Sequence, residues 1–323
     1  MKAWICERYG SPDDLTLKEI DKPVPGDDEV LVKVRAAGLN AYDWHVLRGD
    51  PYLVRMVKGL RRPRKPAILG SDMAGIVEAV GNGVTRFHPG DEVYAEVDDG
   101  GLAEYVAVKE KFLARKPANL TFEQAAAVPM AALTALQGLR DVGRVKPGQK
   151  VLVHGAGGGV GSFAVQIAKA LGAAEVTGVC GPAKVETVRS LGADHVIDRS
   201  REDFSRSGKR FDVVLDTANR SLRAVRRVLV PRGRLAMVGG RGGRVLGPVP
   251  QYIAASILSP IVRKKMAPVM GHRSGEDLAT LREMIEAGKV KPAVDRVYPF
   301  AEAPDAIQQL ESGQVRGKVV VAI

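Results

Sequence analysis

A strand-like segment, a glycine-rich turn and a helix-like segment follow one another directly in residues 150–173. The apolar run KVLV ends at residue 153, five glycines fall within the seven residues 155–161, and the apolar segment SFAVQIAKALGA follows. Where a strand enters a helix through such a turn, the missing side chains let a pyrophosphate reach the backbone N–H groups at the start of the helix. This layout favours dinucleotide binding over a purely structural turn.

The residues of the turn are the first candidates for contact with a cofactor. Ala156, Gly158 and Gly161 match an A-x-G-x-x-G spacing, and Gly155, Gly158 and Gly161 are spaced three residues apart. A glycine pattern alone is weak, but this one lies inside a repeating strand–helix array. The expected cofactor contacts are Gly155, Ala156, Gly157, Gly158, Gly159, Val160 and Gly161, with Val238 and Gly239 after a later strand.

The array extends from about residue 122 to residue 240. Its strand-like segments are KVLVHG, EVTGVCG, DHVID, FDVVLDT and GRLAMVGG, and its helix-like segments are SFAVQIAKALG, AKVETVRSLG and RSLRAVRRVLV. Strands that alternate with helices in this way form a parallel sheet with helices on both faces. The sequence therefore predicts the α/β class with a doubly wound parallel sheet.

The rest of the chain has a different pattern. Up to about residue 117, short β-like runs such as VLVKVRAAG, MAGIVEAVG, DEVYAEV and AEYVAV are separated by turn signals. After a less regular apolar and basic stretch, the end returns to β structure around the helix-like segment APDAIQQLESG. We expect a β-rich domain made from residues 1–121 and 272–323, interrupted by a dinucleotide-binding domain at residues 122–271.

The end of the second strand of the array bears on which dinucleotide binds. An NAD site usually has an acidic residue there, about 20 residues past the glycines, whereas this chain has Cys180 and then Lys184. Lys184, with Arg199 after the third strand, can pair with the 2′-phosphate of NADPH, which an acidic side chain would repel. The alternative is that Lys184 is a solvated helix residue. The sequence favours NADPH over NADH.

Composition limits the other classes of function. The chain has 323 residues, two cysteines and a formal charge of +11, with basic clusters at 55–65, 223–234 and 263–265. No nucleic-acid-recognition motif accompanies the charge, so a solvated surface is favoured over a nucleic-acid partner. The opening MKAWIC is unlike a signal peptide, and no apolar run approaches the roughly 18 residues of a membrane span. We expect a cytoplasmic protein without a transmembrane segment.

These motifs resemble the medium-chain dehydrogenase/reductase superfamily. The resemblance is carried by HGAGGGVGSFAVQIAKALGA, LGADHVIDR and VPMAALTALQGL, and extends to AAGLNAYDWHVLRGD, ILGSDMAGIVEAVGNGV, FHPGDEVYA and RGKVVVAI, so it covers nearly the whole chain. It implies a Rossmann doubly wound parallel sheet plus a GroES-like β-rich domain, with the nicotinamide in the cleft between them.

The zinc branch of that superfamily does not match this chain. By the resemblance, its alcohol dehydrogenases have a Cys where this chain has Asn40, a His-Glu pair where it has Ser71 and Asp72, and a four-cysteine lobe that is absent here. Zinc requires soft or imidazole ligands in a tetrahedral set, and the five histidines are scattered singly. The chain resembles the zinc-independent quinone oxidoreductase branch and its enone-reductase relatives, so we expect no metal.

The resemblance also implies the remaining site residues. Asn40 is expected to hydrogen-bond near the nicotinamide ribose or the substrate carbonyl, Thr134 to lie near the nicotinamide, and Lys318 to lie near the cofactor. Tyr42 and Tyr52 can donate a hydrogen bond to an acceptor or stack on it, or simply pack at the domain wall. NADPH would reduce a quinone or conjugated carbonyl without a metal, because such an acceptor spreads the arriving charge.

Two segments and two other functions stay open. The basic stretch 53–66 is either a lid that favours acidic acceptors or a solvated loop, and 253–270 can line the acceptor pocket, support a homodimer or touch a membrane. The alternative functions are a non-catalytic NADPH-binding protein with an RNA- or partner-binding basic surface, and a zinc-independent alcohol dehydrogenase. We favour a homodimeric reductase of small molecules.

Overall fold

The computed structural model describes residues 1–64, 67–218, 221–239, 245–261 and 264–323. These residues divide into two units. The first unit consists of Met1–Leu133, Arg273–Ala287 and Pro292–Ile323, and the second of Thr134–His272 and Gly288–Lys291. The domain boundaries expected from the sequence, near residues 121 and 271, stay a prediction.

The part of the chain up to Leu133 contains mostly strands. They are β1 (Lys2–Cys6), β2 (Thr16–Glu19), β3 (Glu29–Leu39), β4 (Ala67–Ile68), β5 (Asp72–Val80), β6 (Glu92–Glu96), β7 (Tyr105–Lys109) and β8 (Leu113–Arg115). The helices are α1 (Ala41–Arg48), α2 (Tyr52–Lys58), α3 (Phe122–Ala126) and α4 (Pro129–Gln137), the last of which continues past Leu133.

The remaining elements alternate between strands and helices. The middle of the chain contains β9 (Lys150–His154), α5 (Gly159–Ala170), β10 (Glu175–Cys180), α6 (Val185–Ser190), β11 (His195–Asp198), β12 (Phe211–Asp216), α7 (Leu222–Val228), β13 (Leu229–Met237), α8 (Val249–Ile261) and β14 (Lys265–Pro268). The end contains α9 (Gly275–Glu286), β15 (Val294–Pro299), α10 (Ala303–Glu311) and β16 (Lys318–Ala322).

In the described part of the second unit, six strands form a parallel sheet in the order β11-β10-β9-β12-β13-β14. The central strands are apolar along their length because helices cover both faces, and Val151, Leu152 and Val153 are completely buried. The strand order reverses beside β9, and the carboxyl ends of the strands at such a reversal form the usual ligand site. The predicted α/β class with a doubly wound parallel sheet is confirmed.

The first unit is built on a mainly antiparallel sheet. Among its described residues, the order is β15-β16-β3-β5-β6-β8, with β7 also paired with β3, and a smaller sheet has the order β2-β1-β4. The 11-residue strand β3 is the centre of the unit, since it pairs with β5, β7 and β16. One core of the unit includes Val30, Val32 and Val34 of β3 packed with Met73 of β5.

Some elements differ from the sequence-based expectations. The stretch 253–270, which showed no regular pattern, contains most of α8 and all of β14, a four-residue edge strand too short to show a period. The helix expected over RSLRAVRRVLV ends at Val228, because Leu229 already begins β13. Residues 65–66, 219–220, 240 and 262–263 of the expected elements and basic segments lie outside the described residues. None of the described helices is long and apolar enough to cross a bilayer.

Candidate cofactor and active site

The glycine-rich turn joins the carboxyl end of β9 to α5, and Gly158 is the N-cap of α5. Gly155 has a φ of +87°, and a Cβ there would lie 2.2 Å from Thr217 Oγ1. A Cβ at Gly161 would lie 2.1 Å from the Gly155 carbonyl oxygen. These two glycines are required by the turn itself. A Cβ at Gly158 would meet nothing closer than 3.5 Å, so this position is open toward the first turn of the helix.

Ala156 is completely buried, whereas Gly158, Gly159 and Val160 are partly exposed. The first N–H groups of an α-helix have no partner within the helix, and the helix dipole makes this end favourable for an anion. The turn therefore combines an accessible backbone with the electrostatics that a pyrophosphate needs. It fits the dinucleotide that the sequence predicts.

One basic side chain lies beside this turn and a second lies at the carboxyl end of β10. A Cβ added at Gly157 would lie 2.7 Å from the Lys184 side chain, which therefore lies across the turn. A Cβ added at Gly181 would lie 3.7 Å from Nε of Arg199, whose backbone N–H donates to the Cys180 carbonyl at 2.9 Å. Lys184 thus lies at the glycine-rich turn and Arg199 lies next to Cys180 at the end of β10, and their role in binding a 2′-phosphate stays a prediction.

A cavity of ≈ 520 Å³ in the second unit contacts Arg199 and the end of β9. Its walls include Arg206, Arg223 and Arg227, together with the acidic Glu202. Arg223 and Arg227, which belong to the basic cluster 223–234 expected to form a solvated surface, are exposed and line this cavity. Their four-residue spacing places both side chains on one face of α7.

The other predicted residues of the second unit lie just after a strand or within α4. Val238 follows β13, and its N–H donates to the Asp216 carbonyl at 2.9 Å, so it lies at the same sheet edge as the turn. The Gly239 carbonyl accepts a hydrogen bond of 2.6 Å from Tyr252 Oη. Thr134 lies in α4, with its Oγ1 3.7 Å from the Cβ position of Gly271.

In the first unit, Asn40 and Lys318 belong to one buried polar network. Asn40 Nδ2 donates to Ser71 Oγ at 3.0 Å and to Asp72 Oδ2 at 2.8 Å. Lys318 Nζ donates to Asn40 Oδ1 and, at 3.1 Å, to Asp72 Oδ2. Asn40 is 8% exposed and Lys318 2%. Both amide hydrogens of Asn40 are therefore used inside the network, and its Oδ1 retains one lone pair.

Asp43 anchors this network to the backbone. Its Oδ2 accepts from the Asn40 N–H at 2.7 Å and from Ser71 Oγ at 3.3 Å, and its Oδ1 accepts from the Gly70 N–H at 3.2 Å. Burial raises the pKa of Asp43 to about 7, and the neighbouring Asp72 carboxylate acts in the same direction. The carboxyl group fixes the start of α1, whose N-cap is Asn40.

Glu96 is a titratable neighbour that the sequence analysis did not single out. It lies on β6 directly opposite Asp72 of β5 and is half-buried. Burial and the Asp72 charge raise the pKa of Glu96 to about 8, so its carboxyl group is mostly protonated at neutral pH. Only strand pairing brings the two carboxyl groups together, and no local spacing in the sequence marks them.

The network does not fit a zinc ion. Asn40, Ser71 and Asp72 offer an amide, a hydroxyl and a carboxylate, whereas structural and catalytic zinc sites use thiolate, imidazole and carboxylate ligands in a tetrahedral set. One amide hydrogen of Asn40 and the ammonium of Lys318 both point at the Asp72 carboxylate, so the carboxylate that a cation would need is already paired. Across the described ranges, no three His, Cys, Asp or Glu side chains group as a metal site.

The two predicted tyrosines lie on α1 and α2. Tyr42 is 36% exposed, and burial raises the pKa of its hydroxyl. Tyr52 is 48% exposed, and the Arg55 guanidinium lies 4.9 Å from the centroid of its ring. Among the described residues, no hydrogen bond joins either hydroxyl to Asn40 or Lys318. Their predicted roles stay predictions.

Comparison with known proteins adds three findings. Residues 26–118 match the family described as alcohol dehydrogenase GroES-like domain, which confirms the predicted GroES-like part of the fold, and residues 191–321 match the family described as zinc-binding dehydrogenase. The chain is 37% identical to the NADPH-dependent alkenal/one oxidoreductase, chloroplastic, of Arabidopsis thaliana, over 99% of this chain and 79% of that protein.

Two solved structures cover this chain completely. The Escherichia coli quinone oxidoreductase, crystallised with NADPH, is 29% identical with a TM-score of 0.85, and 100% of each chain is covered. A crystal structure titled NAD-dependent alcohol dehydrogenase is 32% identical with the same TM-score of 0.85, again over 100% of each chain. The similar proteins therefore differ in the dinucleotide and the substrate that their names give.

Proposed function

The chain belongs to the medium-chain dehydrogenase/reductase superfamily, in its quinone oxidoreductase-like branch, and on this basis we propose that it transfers a hydride from NADPH to a quinone or an α,β-unsaturated carbonyl without a metal ion. The observation that carries the proposal is the position of Lys184 across the glycine-rich turn, with Arg199 next to Gly181 at the end of β10. The acceptor class is supported by the names of the alkenal/one and quinone oxidoreductases to which the chain is similar.

The preference for NADPH over NADH follows from the charges at the turn. No acidic side chain occupies the end of β10, where Cys180 stands, and two cations lie within reach of the same edge. A carboxylate there would accept hydrogen bonds from the ribose hydroxyls of NADH, whereas the cations suit the 2′-phosphate of NADPH. The arginine-lined cavity beside Arg199 supports the same assignment, because its chemistry suits the phosphorylated end of the cofactor.

The buried network assigns Asn40 a positioning role. NADPH, when bound, supplies the hydride. Because Ser71 and Asp72 take both amide hydrogens of Asn40, its carboxamide has no donor left for an acceptor carbonyl. Its remaining lone pair on Oδ1 suits a hydroxyl donor, such as a hydroxyl of the nicotinamide ribose. Of the two roles expected for Asn40, we therefore favour cofactor positioning, with Lys318 holding the carboxamide in this orientation.

Reduction of an enone also consumes a proton. Tyr42 and Tyr52 carry phenol hydroxyl groups that can donate, burial raises the pKa of Tyr42, and the raised pKa of Glu96 keeps its carboxyl group protonated. The first unit thus contains three groups able to supply a proton. A hydroquinone anion takes its proton readily from water, so only enone reduction should depend on such a group.

The absence of a metal is part of the proposal, and the donor set of Asn40, Ser71 and Asp72 supports it. A conjugated acceptor delocalises the charge that arrives with the hydride, so a Lewis acid is not needed. Simple alcohols give an alkoxide with no such delocalisation. We therefore propose that alcohols are poor substrates, although one similar structure is named as an alcohol dehydrogenase.

An acceptor panel tests the proposal. Oxidation of NADPH is followed by its absorbance with a series of quinones, linear and cyclic enones and saturated ketones, and NADP⁺ reduction is followed with simple alcohols. We expect turnover with quinones or enones only. Tight NADPH binding without turnover on any acceptor would favour the non-catalytic alternative, and turnover of alcohols that is lost on chelation would contradict the metal-free assignment.

We further propose a homodimer in the cytoplasm. β14 is an edge strand of the parallel sheet, and an unpaired edge can pair with a second copy. Three apolar side chains that flank β14 in the sequence are solvent-exposed: Ile253 is 56%, Ile257 61% and Met270 77% exposed. Such exposure supports a surface that a second copy covers. Light scattering after size-exclusion chromatography tests this, and a mass equal to one chain would contradict it.

A further inference from the structure

The segment formed by α2 and the turn after it, residues 52–64, exposes an apolar patch; we call this segment the 52–64 surface. No residue of α2 is buried. Met56, Val57 and Leu60 are 63%, 69% and 73% exposed, although they lie within five residues of one another. Single exposed apolar residues are ordinary on protein surfaces, but a contiguous group marks a surface that is covered by something else.

The 52–64 surface is held to the fold in a defined shape. Tyr9 Oη donates to the Gly59 carbonyl at 2.7 Å, and Lys58 Nζ pairs with Asp99 at 2.7 Å. The Arg64 N–H donates to the Lys58 carbonyl at 2.8 Å, which closes the turn after the helix. The exposed side chains therefore project from an anchored turn, so their exposure is a property of the fold.

Three arginines flank the apolar patch and face solvent. Arg61, Arg62 and Arg64 are exposed, and within the described ranges their guanidinium groups form no ion pair and no hydrogen bond. The cations that α2 directs inward are already engaged, as with Lys58. The 52–64 surface thus presents three unpaired positive charges beside three apolar side chains, on a chain whose formal charge is +11.

A groove of ≈ 670 Å³ opens beside this patch. Its lining is largely apolar and includes Ile20, Pro23, Val57, Ile68 and Val106. The groove lies within the first unit and contains none of the residues assigned to the cofactor. A groove with this lining suits a hydrocarbon chain better than a polar ligand.

We propose that the 52–64 surface binds the face of an anionic lipid bilayer. Arginines beside apolar side chains match a boundary where lipid phosphates lie next to acyl chains. A nucleic acid would use the cations but would leave Met56, Val57 and Leu60 unpaired with any base or phosphate. A second copy of this chain, placed by two-fold symmetry, would bring the same arginines face to face.

Vesicle co-sedimentation tests this assignment without cofactor or acceptor, so its outcome is independent of the proposed function. We expect the full chain to pellet with vesicles of phosphatidylcholine mixed with phosphatidylglycerol and to stay in solution with phosphatidylcholine alone. Each arginine near an anionic surface contributes about fivefold in affinity, so Arg61→Gln, Arg62→Gln and Arg64→Gln together should weaken binding by roughly a hundredfold. The triple variant Met56→Ser, Val57→Ser, Leu60→Ser should also lose binding.

A matched control removes the same charge elsewhere. Arg86, Arg232 and Arg296 are exposed and lie outside the assigned cofactor site. Their combined replacement by Gln should leave vesicle binding within about twofold of the wild type. A loss equal to that of the 61, 62 and 64 variant would overturn the proposal, because binding would then follow net charge alone.

Insertion of the patch has its own readout. A Leu60→Trp variant should show a blue shift of its fluorescence on addition of the anionic vesicles, since the indole enters the apolar boundary. Binding to vesicles without such a shift, or stronger binding to RNA or to an acidic polypeptide than to the vesicles, would contradict a bilayer as the partner of this surface.

Discussion

Replacing Lys318 by methionine probes the buried network that holds Asn40. The side chains of Lys318 and Asp72 are 3% and 0% exposed, and their charged groups lie 3.1 Å apart. Methionine keeps a long unbranched side chain but removes the ammonium, so the Asp72 carboxylate stays buried without its counterion. Breaking a buried ion pair from one side typically costs about 3–5 kcal/mol.

The structure places the expected cost near the lower end of that range. Asp72 keeps two other donors in the variant, Asn40 Nδ2 at 2.8 Å and the Met130 N–H at 2.8 Å. We therefore expect Lys318→Met to lower the free energy of unfolding by about 3 kcal/mol at neutral pH. The loss should come from the uncompensated carboxylate, not from packing.

The pKa of Asp72 determines how the stability of the Lys318→Met variant changes with pH. Burial raises the pKa of Asp72 in the folded protein, and Lys318 opposes that rise. Without Lys318 the folded-state pKa is higher still, so the folded variant binds a proton over a range of pH in which the unfolded chain does not. Stability then falls as pH rises through this range. The deficit of the variant should be larger at alkaline than at mildly acidic pH.

Urea unfolding followed by circular dichroism measures these differences, with Asp72→Asn and the double variant as controls. Removing both charges leaves no buried ion, so the double variant should be more stable than Lys318→Met alone. Two results would refute the reasoning: a loss below about 1 kcal/mol in Lys318→Met, as for a surface pair, or losses that simply add in the double variant.

Four further outcomes test the site. Lys184→Ala should weaken NADPH binding by about 1–2 kcal/mol and leave NADH binding unchanged, with Lys209→Ala as a control. Equal dissociation constants of NADPH and NADH in the wild type would contradict the preference for NADPH. Asn40→Ala should lower kcat/KM by roughly tenfold to a thousandfold, and Tyr52→Phe should slow enones more than quinones; full activity of both variants would remove the active site from this unit. Burial raises the pKa of Glu96 from 4.5 to about 8, so the folded state holds a proton that the unfolded state loses. The free energy of unfolding of the wild type should therefore fall by about 2 kcal/mol between acidic and alkaline pH, and Glu96→Gln should abolish this fall. Urea-unfolding free energies that change with pH in parallel in variant and wild type would count against this prediction. Purified protein should contain no stoichiometric zinc and keep its activity with a chelator, which elemental analysis and the acceptor assay check.

The parts of the fold that local sequence encodes were predictable. The glycine-rich turn, the alternation of strands and helices after it, and the runs that became β3, β5 and β6 all carry their signal in adjacent residues. β14 was missed because four residues of an edge strand show no period. Lys184 and Arg199 were also predictable, because each follows a strand of the array and the carboxyl ends of parallel strands lie at the same edge of the sheet.

By itself, the sequence determined the doubly wound sheet, the turn that suits a pyrophosphate and the lack of an acid at Cys180, because each is a property of residues close together in the chain. Only the tertiary structure decided what Asn40 can do. Its partners Asp72 and Lys318 are 32 and 278 residues away, and they meet because β5 and β16 both pair with β3. In the folded network both amide hydrogens of Asn40 are hydrogen-bonded, and burial raises the pKa of Glu96. Neither effect exists until the strands have packed.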